Sequence, residues 1–140
     1  MEWLKDSLTF ATHGKGLLDI TTEIEKRLHA WQVEEGMCFL NIPHASASLT
    51  ISESYDPSAR QDVEAYYERA VPEKQAWYRH TLEGADDSPS HIRATLTQPG
   101  LSIPIENKRL ALGTWQGIFL FEHRSHPHRR TVLLRCLKVQ

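Results

Sequence analysis

Two hydrophobic periods alternate along this chain, and the switches between them mark its elements. Ser7 to Thr12 reads as a short strand, punctuated by Gly14 and Gly16. From Thr21 the spacing lengthens, and Ile24, Leu28 and Trp31 fall on one helical face. Glu23 lies in the first turn, where the helix dipole favours an acid, and Gly36 closes the unit. Met37 to Ile42 is an apolar run of strand length, Pro43 interrupts it, and Ala45 to Glu53 resumes as a second strand. Asp56-Pro57 announces a helix, continued by Val63, Tyr66, Tyr67 and Ala70 and followed by Pro72. Ser88-Pro89 repeats that start signal for a short helix carrying His91, Ile92 and Leu96. After Gly100 the pattern predicts strands at Leu101 to Ile105, Leu110 to His123 and Thr131 to Val139. Gly113 and Gly117 imply a bulge in the second of these, and the turns at Glu106-Asn107-Lys108 and Ser125 to Arg129 imply an antiparallel meander. The expectation is an α+β fold with a mostly antiparallel sheet.

Composition narrows the function classes. The 140 residues suit one domain, 1–140, and 16 basic against 18 acidic groups give no electrostatic case for nucleic acid or a membrane surface. No run approaches membrane-spanning length, and the N-terminus lacks a basic region followed by an apolar stretch, so the expected location is the cytoplasm. Cys38 and Cys136 lie in apolar runs and read as reduced, buried thiols.

Candidate chemistry concentrates between His80 and His91. The segment HTLEGADDSPSH brings two imidazoles together with Glu83, Asp86 and Asp87, the side chains that bind divalent metals and move protons near neutral pH. A second candidate is the run from His44 to Glu53. Alternation along a strand puts His44, Ser46, Ser48, Thr50 and Ser52 on one face, suited to a pocket floor, and Ala45, Ala47, Leu49 and Ile51 on the core face. In Gly113-Thr-Trp-Gln-Gly117 the glycines suggest close approach of a backbone or ligand, with Glu122 and His123 ending that strand. The histidine-rich run His123 to His128 reads as a solvated turn.

Five ordered blocks then resemble the YjbQ family, also described as secondary thiamine-phosphate synthases. They are PHASASLTISE at 43–53, DPSARQDVE at 56–64, YRHTLEGADDSPSHI at 78–92, IPI at 103–105 and GTWQGIFLFEHR at 113–124. The resemblance implies a β-sandwich or barrel-like sheet with two or three helices, a homotrimer, and a thiamine-phosphate synthase activity coupling hydroxymethylpyrimidine diphosphate to thiazole phosphate. The family histidines fall on His44, His80 and His91, the acidic pair on Asp86 and Asp87, and the last acid on Glu122. Ala45 and Ser52 depart from it, standing where the family often carries Thr and Asn.

The resulting expectation is one site. His44, His80, His91 and Asp87 are the catalytic candidates. His44, His80, His91 and Asp86 are the candidate ligands of a divalent ion, zinc or magnesium, and Ser46, Ser48 and Arg124 the candidate contacts to a phosphorylated small molecule. Protonated imidazoles binding phosphate without a metal are equally compatible with the residues. So are a phosphometabolite-sensing module without useful turnover and a metal-dependent phosphatase.

Overall fold

The chain runs β1 (Glu2–Thr12), β2 (Gly16–Asp19), α1 (Thr21–Ala30), β3 (Gly36–Asn41), β4 (Ala47–Glu53), α2 (Pro57–Ala70), α3 (Asp87–Leu96), β5 (Gly100–Glu106), β6 (Arg109–Leu110), β7 (Gln116–Glu122) and β8 (His128–Lys138). These elements come from a computed structural model that describes residues 1–140. The strands form two antiparallel sheets, one of five in the order β1-β8-β3-β5-β6 and one of three in the order β2-β7-β4. The α+β class with mostly antiparallel strands is therefore as the pattern predicts.

The core lies between the sheets. Leu8, Val132, Leu134 and Cys136 meet it from the larger sheet, Ala47, Leu49, Ile118 and Leu120 from the smaller, and α1 adds Ile24 and Leu28. β7 is buried on both faces. Ile118 and Leu120 join the core, while Phe119 lies under the Arg60 guanidinium, 5.5 Å away, and Phe121 meets the edge of Tyr67 at 5.2 Å. That double burial is why its sequence reads as an unbroken apolar run rather than an alternation. Cys38 and Cys136 stand opposite each other in register as free, buried thiols. Burial, reinforced by Cys136, pushes the Cys38 thiol up to about 12.

The meander is not formed. β5 and β6 do make a hairpin through Asn107-Lys108, whose φ values of 51° and 67° are those of a type I′ turn. β7 then crosses to the other sheet, and β8 returns to lie between β1 and β3. The predicted strand from Leu110 to His123 is two strands, because the Gln116 side chain folds back to accept the Gly113 N–H at 2.7 Å and closes a turn between them.

Helix starts follow local chemistry. Asp56 caps α2 by accepting the Ser58 N–H at 2.9 Å. α3 begins at Asp87, ahead of the Ser88-Pro89 signal, and Asp86 stands at its cap position without capping, because its carboxylate is engaged elsewhere. The helices make their principal sheet contacts with the three-stranded sheet: α1 with β7, α2 with β2 and β4, α3 with β4. The outer face of the larger sheet carries an apolar row, Trp3, Leu137, Met37 and Pro104, in register across four strands. None of the helices is long and apolar enough to cross a membrane.

Candidate functional site

α3 and the loop before it build one concentrated cluster. Asp87, at the first position of the helix, is 1% exposed, and His91 follows one turn later on the same face. His80 approaches from the loop. Its Nε2 lies 2.6 Å from Asp87 Oδ2, and His91 Nε2 lies 3.1 Å from Oδ1. One ligating atom from each of the three residues falls within 4.8 Å of the others.

The orientation of these atoms is informative. His91 Nδ1 lies 2.9 Å from the Ala45 carbonyl oxygen. A carbonyl can only accept, so Nδ1 carries a ring proton and Nε2 is the nitrogen turned towards the carboxylate, donating to it in the imidazolium and offering a lone pair to a cation in the neutral ring. At His80 the contact is short, yet Oδ2 of the buried Asp87 takes no hydrogen bond. An orphaned buried oxygen beside two imidazole nitrogens fits a cation shared among them.

Arg124 holds the acid in place. It donates from Nε to Asp86 Oδ2 at 2.9 Å, from one terminal nitrogen to Asp87 Oδ1 at 2.8 Å, and from the other to the Glu83 carbonyl at 2.9 Å. The Ser125 N–H adds a bond to Asp86 at 2.8 Å. Burial opposes ionisation of Asp86, but these donors outweigh it and hold its carboxyl at about 2. Hydrogen bonding to Asp86 in turn raises Arg124. Arg124 therefore serves Asp86, Asp87 and the loop, and its guanidinium is already engaged where a phosphate contact was expected.

The remaining predicted residues separate. His44 is next to Ala45 in sequence, but its Nε2 accepts the Thr131 N–H of β8 at 3.0 Å, so its ring is not part of the cluster. Burial and then the nearby Arg130 charge lower its pKa. Asp86 faces Arg124 rather than the imidazoles. Ser46 lies just ahead of β4 and its Oγ accepts from Arg130 at 2.9 Å. Ser48 is 1% exposed, with its Oγ 2.8 Å from His123 Nε2 and accepting from Thr97 at 2.6 Å. The proposed pocket floor is covered because β4 pairs with β7 and packs beneath α3. Glu122 and His123 point to opposite sides. Glu122 is held by Thr12 and Arg130, which with the Arg124 N–H outweigh its burial and lower its pKa. His123 is fully buried, and burial followed by the Arg93 charge takes its pKa down to about 3. Sequence reasoning missed the Ala45 carbonyl, since a backbone atom leaves no residue-type signal.

Fold and cluster together define a small two-sheet α+β protein whose polar chemistry is gathered at the start of α3. The family model described as UPF0047 protein YjbQ-like matches residues 6–139. UPF0047 protein sll1880 of Synechocystis is 44% identical over 130 residues, covering 93% of this chain and 88% of that one. YjbQ of Salmonella typhimurium is 42% identical over 132 residues, covering 94% and 95%. Among solved structures, the conserved hypothetical protein TT1486 of Thermus thermophilus superposes with a TM-score of 0.85 at 33% identity, covering 94% of this chain and 99% of that one. The chain belongs to the YjbQ (UPF0047) family.

Proposed function

We propose that His80, Asp87 and His91 bind a divalent ion and that the chain acts on phosphorylated small molecules at this site. The observation that carries the reading is the Asp87 oxygen without a hydrogen bond facing two imidazole nitrogens, with His91 turned by the Ala45 carbonyl so that Nε2 points to the carboxylate. Two imidazoles and one carboxylate leave room for an outside ligand, as catalytic rather than structural zinc sites do. When bound, the ion supplies a Lewis acid that neutralises phosphate charge. The chain's own residues orient the ligands: Ala45 fixes the His91 tautomer, and Arg124 fixes Asp87.

The reaction we assign is thiamine-phosphate synthesis. The thiazole-phosphate nitrogen attacks the methylene carbon of hydroxymethylpyrimidine diphosphate; a C–N bond forms, the C–O bond to diphosphate breaks, and pyrophosphate leaves with the electron pair. The resemblance to secondary thiamine-phosphate synthases suggests this reaction, and the charge of its leaving group suits an ion site. Cytoplasmic location and homotrimer assembly belong to the same reading, the latter supported by the apolar row on the outer face of the larger sheet.

Elemental analysis of protein purified without an affinity tag tests the ion. One equivalent in the wild type, absent from His80→Ala and Asp87→Asn, is the expected result. Coupling of the two substrates, followed as thiamine phosphate formed, should fall with the ion. Full turnover after chelation would overturn the metal assignment, and tight substrate binding without product would make the chain a binding module.

A further inference from the structure

Two clefts flank the cluster and share His80 and Ser88 in their walls. One, of about 260 Å³, is walled by Lys74, Thr81 and Ser88 and carries no carboxylate. The other, of about 440 Å³, runs past Ala45, Ile92 and Thr95 and holds no charged group apart from the histidines. The cluster therefore stands between a cleft with one lysine in its wall and a cleft with no charged group but the histidines.

Lys74 draws notice on two counts. It is exposed and lacks its nearest acid, since the adjacent Glu73 is taken by Lys15 at 2.8 Å. Its φ is 58°, a left-handed conformation that costs a lysine roughly 1 kcal/mol and that glycine adopts freely. Thr81 and Ser88 add hydroxyl donors, and Ser88 sits in the first turn of α3, where the helix dipole favours an anion.

We infer that Lys74 selects an oxyanion head group of phosphate type, held among Lys74, Thr81 and Ser88, while the uncharged remainder of the ligand lies along Ala45, Ile92 and Thr95. This deepens the reading of His80, Asp87 and His91 as an ion site and rests on it. The head group would sit between Lys74 and the side chains that would hold the ion, and the uncharged cleft takes the apolar remainder of the same ligand.

The test compares wild type with Lys74→Gly, which suits the backbone, and with Lys74→Arg, which keeps the charge. Inorganic phosphate and acetate are titrated calorimetrically into ion-loaded protein, with ion content and unfolding midpoint measured alongside. Phosphate affinity should fall about tenfold in Lys74→Gly, the loss of one charge-assisted hydrogen bond, and persist in Lys74→Arg. Ion content should be unchanged, and the Lys74→Gly midpoint should be no lower than wild type. Equal phosphate binding in wild type and Lys74→Gly, or acetate bound as tightly as phosphate, would overturn the assignment. So would loss of the ion in Lys74→Gly, which would make Lys74 a support for the cluster. If the wild type takes up no ion, the ion reading fails separately, and the same phosphate titrations still decide for or against Lys74.

Discussion

Acidification should weaken this fold well before its carboxylates titrate, and His123 is the reason. The ring is fully buried against Phe121, at 4.5 Å between centroids, and its Nδ1 has no partner. Burial, and then the Arg93 charge, lower its pKa from 6.5 to about 3. Between those values the unfolded chain binds a proton that the folded chain refuses, so stability falls as pH drops through 6.5. From pH 7 to pH 5 one such group removes about 2 kcal/mol, with a limiting slope of about 1.4 kcal/mol per pH unit. His44, lowered in the same direction, adds to the loss. Against a typical total of about 5–15 kcal/mol this is a large fraction. Below about pH 4 Asp86 contributes too. A carboxyl held at about 2 stabilises the fold above its unfolded value of 3.8, and that contribution is lost as pH falls towards 2. The measurement is urea unfolding at fixed salt from pH 7.5 to pH 4.5, in wild type and His123→Gln. Over that wider range the variant should be less pH-dependent by about 2.7 kcal/mol. Parallel curves for the two proteins would refute the assignment of the slope to His123.

Two further perturbations probe the frame around the site. Glu122→Gln keeps the shape but leaves the buried Arg130 without its counter-charge, and chemical denaturation should show a loss of about 3–5 kcal/mol; a cost below about 1 kcal/mol would mean the pair is solvated. Gly117→Ala places a Cβ 2.8 Å from Ser54 Cβ, which should lower stability by about 1–3 kcal/mol in thermal or urea unfolding and disturb the close approach of β7 to the end of β4; an unchanged midpoint would show that this approach is loose.

Much of the fold was legible because local signals agree with it. Asp56-Pro57 marks α2, and Ile24 and Leu28 mark the buried face of α1. The two-residue turn at Asn107-Lys108 was legible as well. The break between β6 and β7 has a local signal that understates it: Gly113 and Gly117 suggest a bulge, whereas the Gln116 side chain turns back three residues on Gly113 and ends the strand. The other errors arise where tertiary partners decide. Nothing local reveals that Ser48 lies under α3, since the period of a strand gives its two faces but not what covers them. In the site, His80, Asp87 and His91 were legible as a dense cluster in one short segment. Arg124 was visible as a cation, yet its choice of Asp86 and Asp87 over a phosphate depends on β7 ending beside that loop.

His80, Asp87 and His91 span only twelve residues, whereas the groups that orient them, Ala45 and Arg124, come from the turn before β4 and the loop after β7. If the native cluster holds an ion, the segment would also capture one before those strands dock, through either imidazole nitrogen. Occupancy of the denatured ensemble would then cancel part of the thermal protection that a bound ion confers on the native one. Nitrogen choice at His91, resolved by NMR, would report docking of β4 more faithfully than a melting curve would.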